Sequence, residues 1–328
     1  MHKLIFILVF VLFSLHSSSE EVNYLLTASA KDDIETVKAI LESGADVNVV
    51  DSNNLNALMY AARKNNSEII NLLIKNKIKV NHTDDSGWTA LMYAAKKNYT
   101  ESINLLLNAK ADPKITDPDG WSAFGLAASA GHSETIDLLI KAGIDPNNRN
   151  NSGQTILMIA AKKGNLAVVK NLLDNRANFT LKDPNGKTAL MIACANGNID
   201  VVKMLLNRGA DIHTEDKSNW TALTWSVEKK YPKIANILLE RGADPNHKDD
   251  QKTPLIHFAV FNNDYESVKL LIEHNVKLKA RDQYGLTPYV YALKEKNKKI
   301  VKLSKIMVGL INEGLSNSIK PNNGGYQN

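Results

Sequence analysis

Apolar and polar positions along this chain follow a pattern that resets every 33 residues. Asp51, Asp84, Asp117, Asn150, Asp183, Asp216, Asp249 and Asp282 mark the start of each copy. Five residues on comes a capping residue: Asn56, Thr89, Ser122, Thr155, Thr188 or Thr221. Such a side chain accepts a bond from an orphan N–H at a helix start. Two residues later stands an apolar anchor: Leu58, Leu91, Phe124, Leu157, Leu190 or Leu223. Small pairs follow (Ala61-Ala62, Ala94-Ala95, Ala127-Ala128, Ala160-Ala161, Ala193-Cys194) and let two helices approach closely. Further on, Val201, Val202, Leu205 and Leu206 form one stripe on a second helix. Gly44, Gly143, Gly209 and Gly242 close that helix, where a left-handed C-cap is needed. Segments such as Asp117-Pro118-Asp119-Gly120 are turns. Each copy therefore reads as helix, tight turn, second helix and turned-out loop.

The segments "GWTALMYAA", "GKTALMIACANGN", "LLNRGADI" and "LLERGADPN" at this period resemble the ankyrin-repeat family. The family's usual Thr-Pro-Leu-His is mostly Thr-Ala-Leu-Met here, which keeps the cap and the anchor but drops the histidine. The resemblance implies an all-α ankyrin-repeat solenoid of about nine 33-residue helix-turn-helix units with short β-turn or hairpin loops. Their boundaries are 20–50, 51–83, 84–116, 117–149, 150–182, 183–215, 216–248, 249–281 and 282–314, and a polar tail covers 315–328. In such arrays each unit packs only on its neighbours.

Three departures carry expectations of their own. Lys77, Lys110 and Arg176 replace the C-cap glycine, which implies local softness in the second, third and fifth units if the backbone stays left-handed. In the eighth unit Thr253-Pro254-Leu255 arrives one residue early, so a bulge is expected in that unit's first helix. The ninth unit carries about six extra residues before Leu310, and a long capping helix is expected there.

The N-terminus is different in kind. Lys3 is followed by an almost wholly apolar run from Leu4 to Leu15, then by Ser17, Ser18, Ser19 and Glu20. This reads as a secretory signal peptide over residues 1–19. The run is shorter than the roughly 20 residues a membrane span needs. A periplasmic or secreted protein is expected, with an uncleaved anchor as the alternative. The resemblance extends to exported bacterial-type ankyrin-repeat proteins.

Candidate chemistry changes this picture little. Gly186-Lys187-Thr188 lacks the first glycine of a phosphate-binding loop, because position 181 is Leu. Asp117-Pro118-Asp119-Gly120 lacks the remaining ligands of a calcium loop. The histidines have no ligand spacing. Cys194, the one cysteine, sits in a small-residue core position with no base beside it. Asn65, Asn81, Asn98, Asn150, Asn178 and Asn219 begin Asn-x-Ser/Thr sequons, which an Asn-rich chain also acquires by chance. No catalytic residue, metal or cofactor is expected. An enzyme would need a domain outside the repeats, and a net charge of +5 with interspersed acids argues against nucleic acid.

Binding is the remaining function, and the columns locate it. On the face that carries turn tips and first helices, expected to be concave, lie Trp88, Trp121 and Trp220 just after the turn. Tyr60, Tyr93 and Trp225 follow four residues after the cap. Arg63, Lys64, Lys96, Lys97, Lys162 and Lys163 stand at the first-helix ends. Aromatic residues and arginine dominate binding hot spots, and paired cations attract acidic segments. The same residues also suit packing of Trp on the next hairpin and ordinary solvation of Lys. The expected partner is another protein with an acidic segment, engaged by a monomer that keeps no membrane span after signal cleavage.

Overall fold

A computed structural model of the protein describes residues 24–294, 296 and 298–303. The signal peptide expected at 1–19, the long capping helix expected at the end of the ninth unit and the polar tail lie outside the described residues. The chain divides into two compact units between Asp145 and Pro146. Each is a stack of helical hairpins, the all-α repeat architecture expected. In the N-terminal unit Tyr24–Ala30 pairs with Ile34–Glu42, Ala57–Lys64 with Ser67–Lys75, Ala90–Lys96 with Thr100–Asn108, and Ala123–Ala130 with Ser133–Lys141. In the C-terminal unit Ile156–Lys163 pairs with Leu166–Asp174, Ala189–Ala195 with Ile199–Asn207, Ala222–Glu228 with Pro232–Glu240, and Leu255–Phe261 with Tyr265–Glu273. Pro288–Lys294 follows and packs on Leu255–Phe261. Within each unit first helices lie against first helices and second against second.

The columns explain the elements. Asn56, Thr89, Ser122, Thr155, Thr188 and Thr221 each accept a bond from the backbone N–H three residues on. Such a cap contributes about 1 kcal/mol. The small pairs are fully buried, Cys194 included. Burial pushes the Cys194 thiol far above its ordinary range, so it stays protonated in the core. Among the described residues the loops form isolated antiparallel bridges (Val50 with Asn56, Thr116 with Ser122, Arg149 with Thr155, Lys248 with Pro254) rather than strands.

Every described residue with positive φ falls in one of three columns. One is the turn tip, from Asn54 through Gly87 and Asn219 to Gly285. The second joins the two helices, from Asp32 through Asn65 and Gly131 to Lys296. The third ends the second helix: Gly44, Lys77, Lys110, Gly143, Arg176, Gly209, Gly242 and Asn275. Lys77, Lys110 and Arg176 hold φ of 61°, 67° and 63°, so the left-handed backbone on which the expected softness depends is present. A Cβ at Gly44, Gly143, Gly209 or Gly242 would meet nothing within 4 Å, so a side chain in this column conflicts only with the backbone angle. At the turn tip space is also short: a Cβ on Gly87 would lie 2.9 Å from Pro118.

The bulge expected in the eighth unit is not formed. Leu255–Phe261 is a regular seven-residue helix in step with Ala222–Glu228. The backbone keeps its register, and the early Thr-Pro-Leu is absorbed by side-chain identity instead. Pro254 takes the N-cap position, where it offers no side-chain bond. His257 then falls where other repeats bury Met59, Met92, Met158 or Met191. Its Nε2 meets the Leu286 carbonyl at 3.1 Å, while the buried Nδ1 has no partner. Burial lowers its pKa, which keeps the ring neutral.

Candidate partner-binding groove

The site grows out of the turn that opens each repeat. The Asp84 carboxylate folds over its own turn: Oδ1 accepts the N–H groups of Ser86 at 2.9 Å and Trp88 at 2.8 Å. Its second oxygen faces the first helix and accepts the Tyr93 hydroxyl at 2.5 Å. Asp51 repeats the arrangement with Asn53, Leu55 and the Tyr60 hydroxyl, the last at 2.6 Å. Turn and helix are thereby locked together, and each aromatic ring is fixed in orientation.

Electrostatics agree with this geometry. Burial works against ionisation of Asp51, but bonds from the Tyr60 hydroxyl and from the Leu55 and Asn53 amides outweigh it and hold its carboxyl low. The Tyr60 phenol is raised by its bond to Asp51, then by burial. The Tyr93 phenol is raised by burial, then by Asp84. Both phenols are therefore donors whose protons point inward.

Trp88 completes the wall. Its indole N–H reaches the carboxylate of Asp117 in the next repeat at 3.1 Å, and its ring lies 5.1 Å from that of Tyr93. The Arg63 guanidinium sits 5.2 Å from the Tyr93 ring centre and 5.9 Å from that of Tyr60. A cleft of about 490 Å³ opens between these groups, lined by Tyr60, Trp88, Tyr93, Arg63, Lys64, Lys96, Lys97 and Ala30. Seven residues singled out in the sequence thus converge on one groove within the N-terminal unit.

The other five do not join it. Trp121 is half-buried in the same unit, outside the wall, with its amide bonded to Asp117. Lys162 and Lys163 are exposed in the last turn of Ile156–Lys163, where cations favour the helix dipole. Trp225 donates its indole N–H to Asp216 at 2.9 Å, the same clamp in the C-terminal unit. Trp220 packs 4.7 Å from Trp225 and 5.1 Å from Phe258. Lys187 lies over Trp225, with Nζ 3.8 Å from the ring centre.

The clamping role of the opening aspartates was not anticipated. Its signal was available as a nine-residue interval from Asp to a ring donor: Asp51 to Tyr60, Asp84 to Tyr93, Asp216 to Trp225 and Asp282 to Tyr291. Among the described residues no group of three or more His, Cys, Asp or Glu could hold a metal ion. No helix there is long and apolar enough to cross a membrane.

No curated protein matches the chain. The family model described as ankyrin repeats (3 copies) matches residues 25–117, 101–183, 157–249 and 247–303. These overlapping matches cover the repeats whose caps, hinges and hairpins are described above, and the chain belongs to the ankyrin-repeat family.

Proposed function

We propose that the protein is an exported, non-catalytic interaction scaffold that binds a partner protein on its turn-tip and first-helix face. The observation that carries this reading is the groove between the Asp51 and Asp84 repeats. It combines three aromatic rings with four cationic side chains, the composition of a binding hot spot. An acidic segment of the partner is the complement such a rim selects, and the chain acts as a monomer. The apolar run at Leu4 to Leu15 supports export, to a periplasm or to the medium. A scaffold released to act on a host protein has the same groove, and fractionation of the source cell separates the two.

The test is capture from the native compartment with the wild-type chain and an Arg63→Glu/Lys96→Glu variant, both checked for an unchanged helical melt. A partner retained by the wild type and lost from the variant is the expected result. Equal retention by both removes the groove as the site.

A further inference from the structure

We propose that the groove takes an acidic segment in the polyproline II conformation, with carboxylates at positions i and i+3. This rests on the reading of the groove as the partner site.

Three observations carry it. First, the ring donors are already used. The Tyr60 and Tyr93 hydroxyls and the Trp88 indole N–H are bonded to Asp51, Asp84 and Asp117. Arg63 lies over the Tyr93 and Tyr60 rings, and among the described residues no cation lies over Trp88, so the Trp88 face is what the groove offers, a surface of the kind on which proline-rich segments dock. Second, the rim is cationic, with Arg63 alone engaged, over the Tyr60 and Tyr93 rings and near the Asp51 carboxylate. Among the described residues, none of Arg63, Lys64, Lys96 and Lys97 forms an ion pair with a carboxylate. The aspartates closest to the rings are spent on turn amides and ring donors. Third, the cations come in two equivalent sets. Arg63 and Lys64 close one first helix, and Lys96 and Lys97 stand at the corresponding end of the next. Packed helices have axes roughly 8–10 Å apart. A polyproline II chain advances about 3.1 Å per residue with three residues per turn. Its i and i+3 side chains therefore share a side at a spacing of about 9 Å. In a β-strand the same-side neighbours stand at i+2, only about 6.6 Å apart. The repeat spacing thus suits the polyproline register, and prolines between the acids would lie on the Trp88 ring.

The experiment is fluorescence anisotropy on the full chain with labelled peptides of equal length and charge. Their cores carry two glutamates separated by one, two or three prolines, and a fourth peptide carries glutamine in place of glutamate. The two-proline spacing should bind at least tenfold more tightly than either other spacing. Its binding should weaken with added salt and fall tenfold or more in an Arg63→Gln/Lys96→Gln variant of unchanged melt. Equal binding of all three spacings overturns the proposal, as does no binding or binding that survives the variant. Capture of a partner that depends on Arg63 and Lys96 would still stand in those cases, so the broader reading fails separately.

Discussion

The Asp84 and Asp216 repeats build the same clamp and present it differently. In both, the opening aspartate accepts a ring donor nine residues on: the Tyr93 hydroxyl in one, the Trp225 indole in the other. In the first, the ring borders a cleft and carries Arg63 at 5.2 Å from its centre. In the second, the chain's own Lys187 lies on the Trp225 ring, and Trp220 is held between Trp225 and Phe258. An aromatic column is therefore not a site by itself. Each ring carries a cation of the chain itself, and the two differ in how closely it sits, 5.2 Å over Tyr93 and 3.8 Å over Trp225. The repeats between them carry Leu126, Ile159 and Ile192 at this position, all buried and without a donor.

The largest effect that can test this contrast is loss of the clamp itself. Asp84→Ala removes two turn bonds and the Tyr93 bond from a buried carboxylate and should destabilise the chain by about 3 kcal/mol. Asp183→Ala removes only the turn bonds to Asn185 and Lys187, because Ile192 stands where the ring donor would be. Its cost should be about 1–2 kcal/mol. Urea unfolding of both variants checks the order, and equal losses would show that the ring bond contributes nothing.

A smaller effect separates the same regions by backbone strain. The second helices beside the groove end on Lys77 and Lys110, whereas the Trp225 repeat ends on Gly242. Lys110→Gly should raise stability by about 1 kcal/mol, with a higher melting temperature, since only the positive φ opposes the lysine. Gly242→Lys should lower it by a similar amount. A fall in melting temperature for Lys110→Gly would refute the strain argument. The smallest effect is Lys187→Ala. It removes the cation from the Trp225 face at about 0.5–1 kcal/mol and should uncover that ring to solvent, seen as a red-shifted tryptophan emission.

Most of the architecture was legible because it is written repeatedly. Caps, small pairs and the strained C-caps are set by local rules that act within one repeat and recur in the next. Seven of the groove residues were legible for the same reason. The eighth unit was misread because Thr253-Pro254-Leu255 is a stronger local signal than the backbone register set by Asp249. The packed neighbours enforce that register, and His257 absorbs the mismatch in the core. The clamp escaped notice because it joins a turn to a helix through a side-chain bond that periodicity does not express. The covering of Trp225 depends on where Lys187 comes to lie, which is a tertiary fact.

The three positive-φ columns have a consequence for how this chain can change its length. Because each hinge recurs at the same interval, a cut through equivalent points leaves no bend misplaced. Excising 183–215 would join Lys182 to Asp216, a junction of the same kind as the Lys182–Asp183 it replaces. The chain is thus a tape of interchangeable cassettes. Its reach can grow or shrink by whole modules, while a single inserted residue would displace the hinges only of the repeat that receives it.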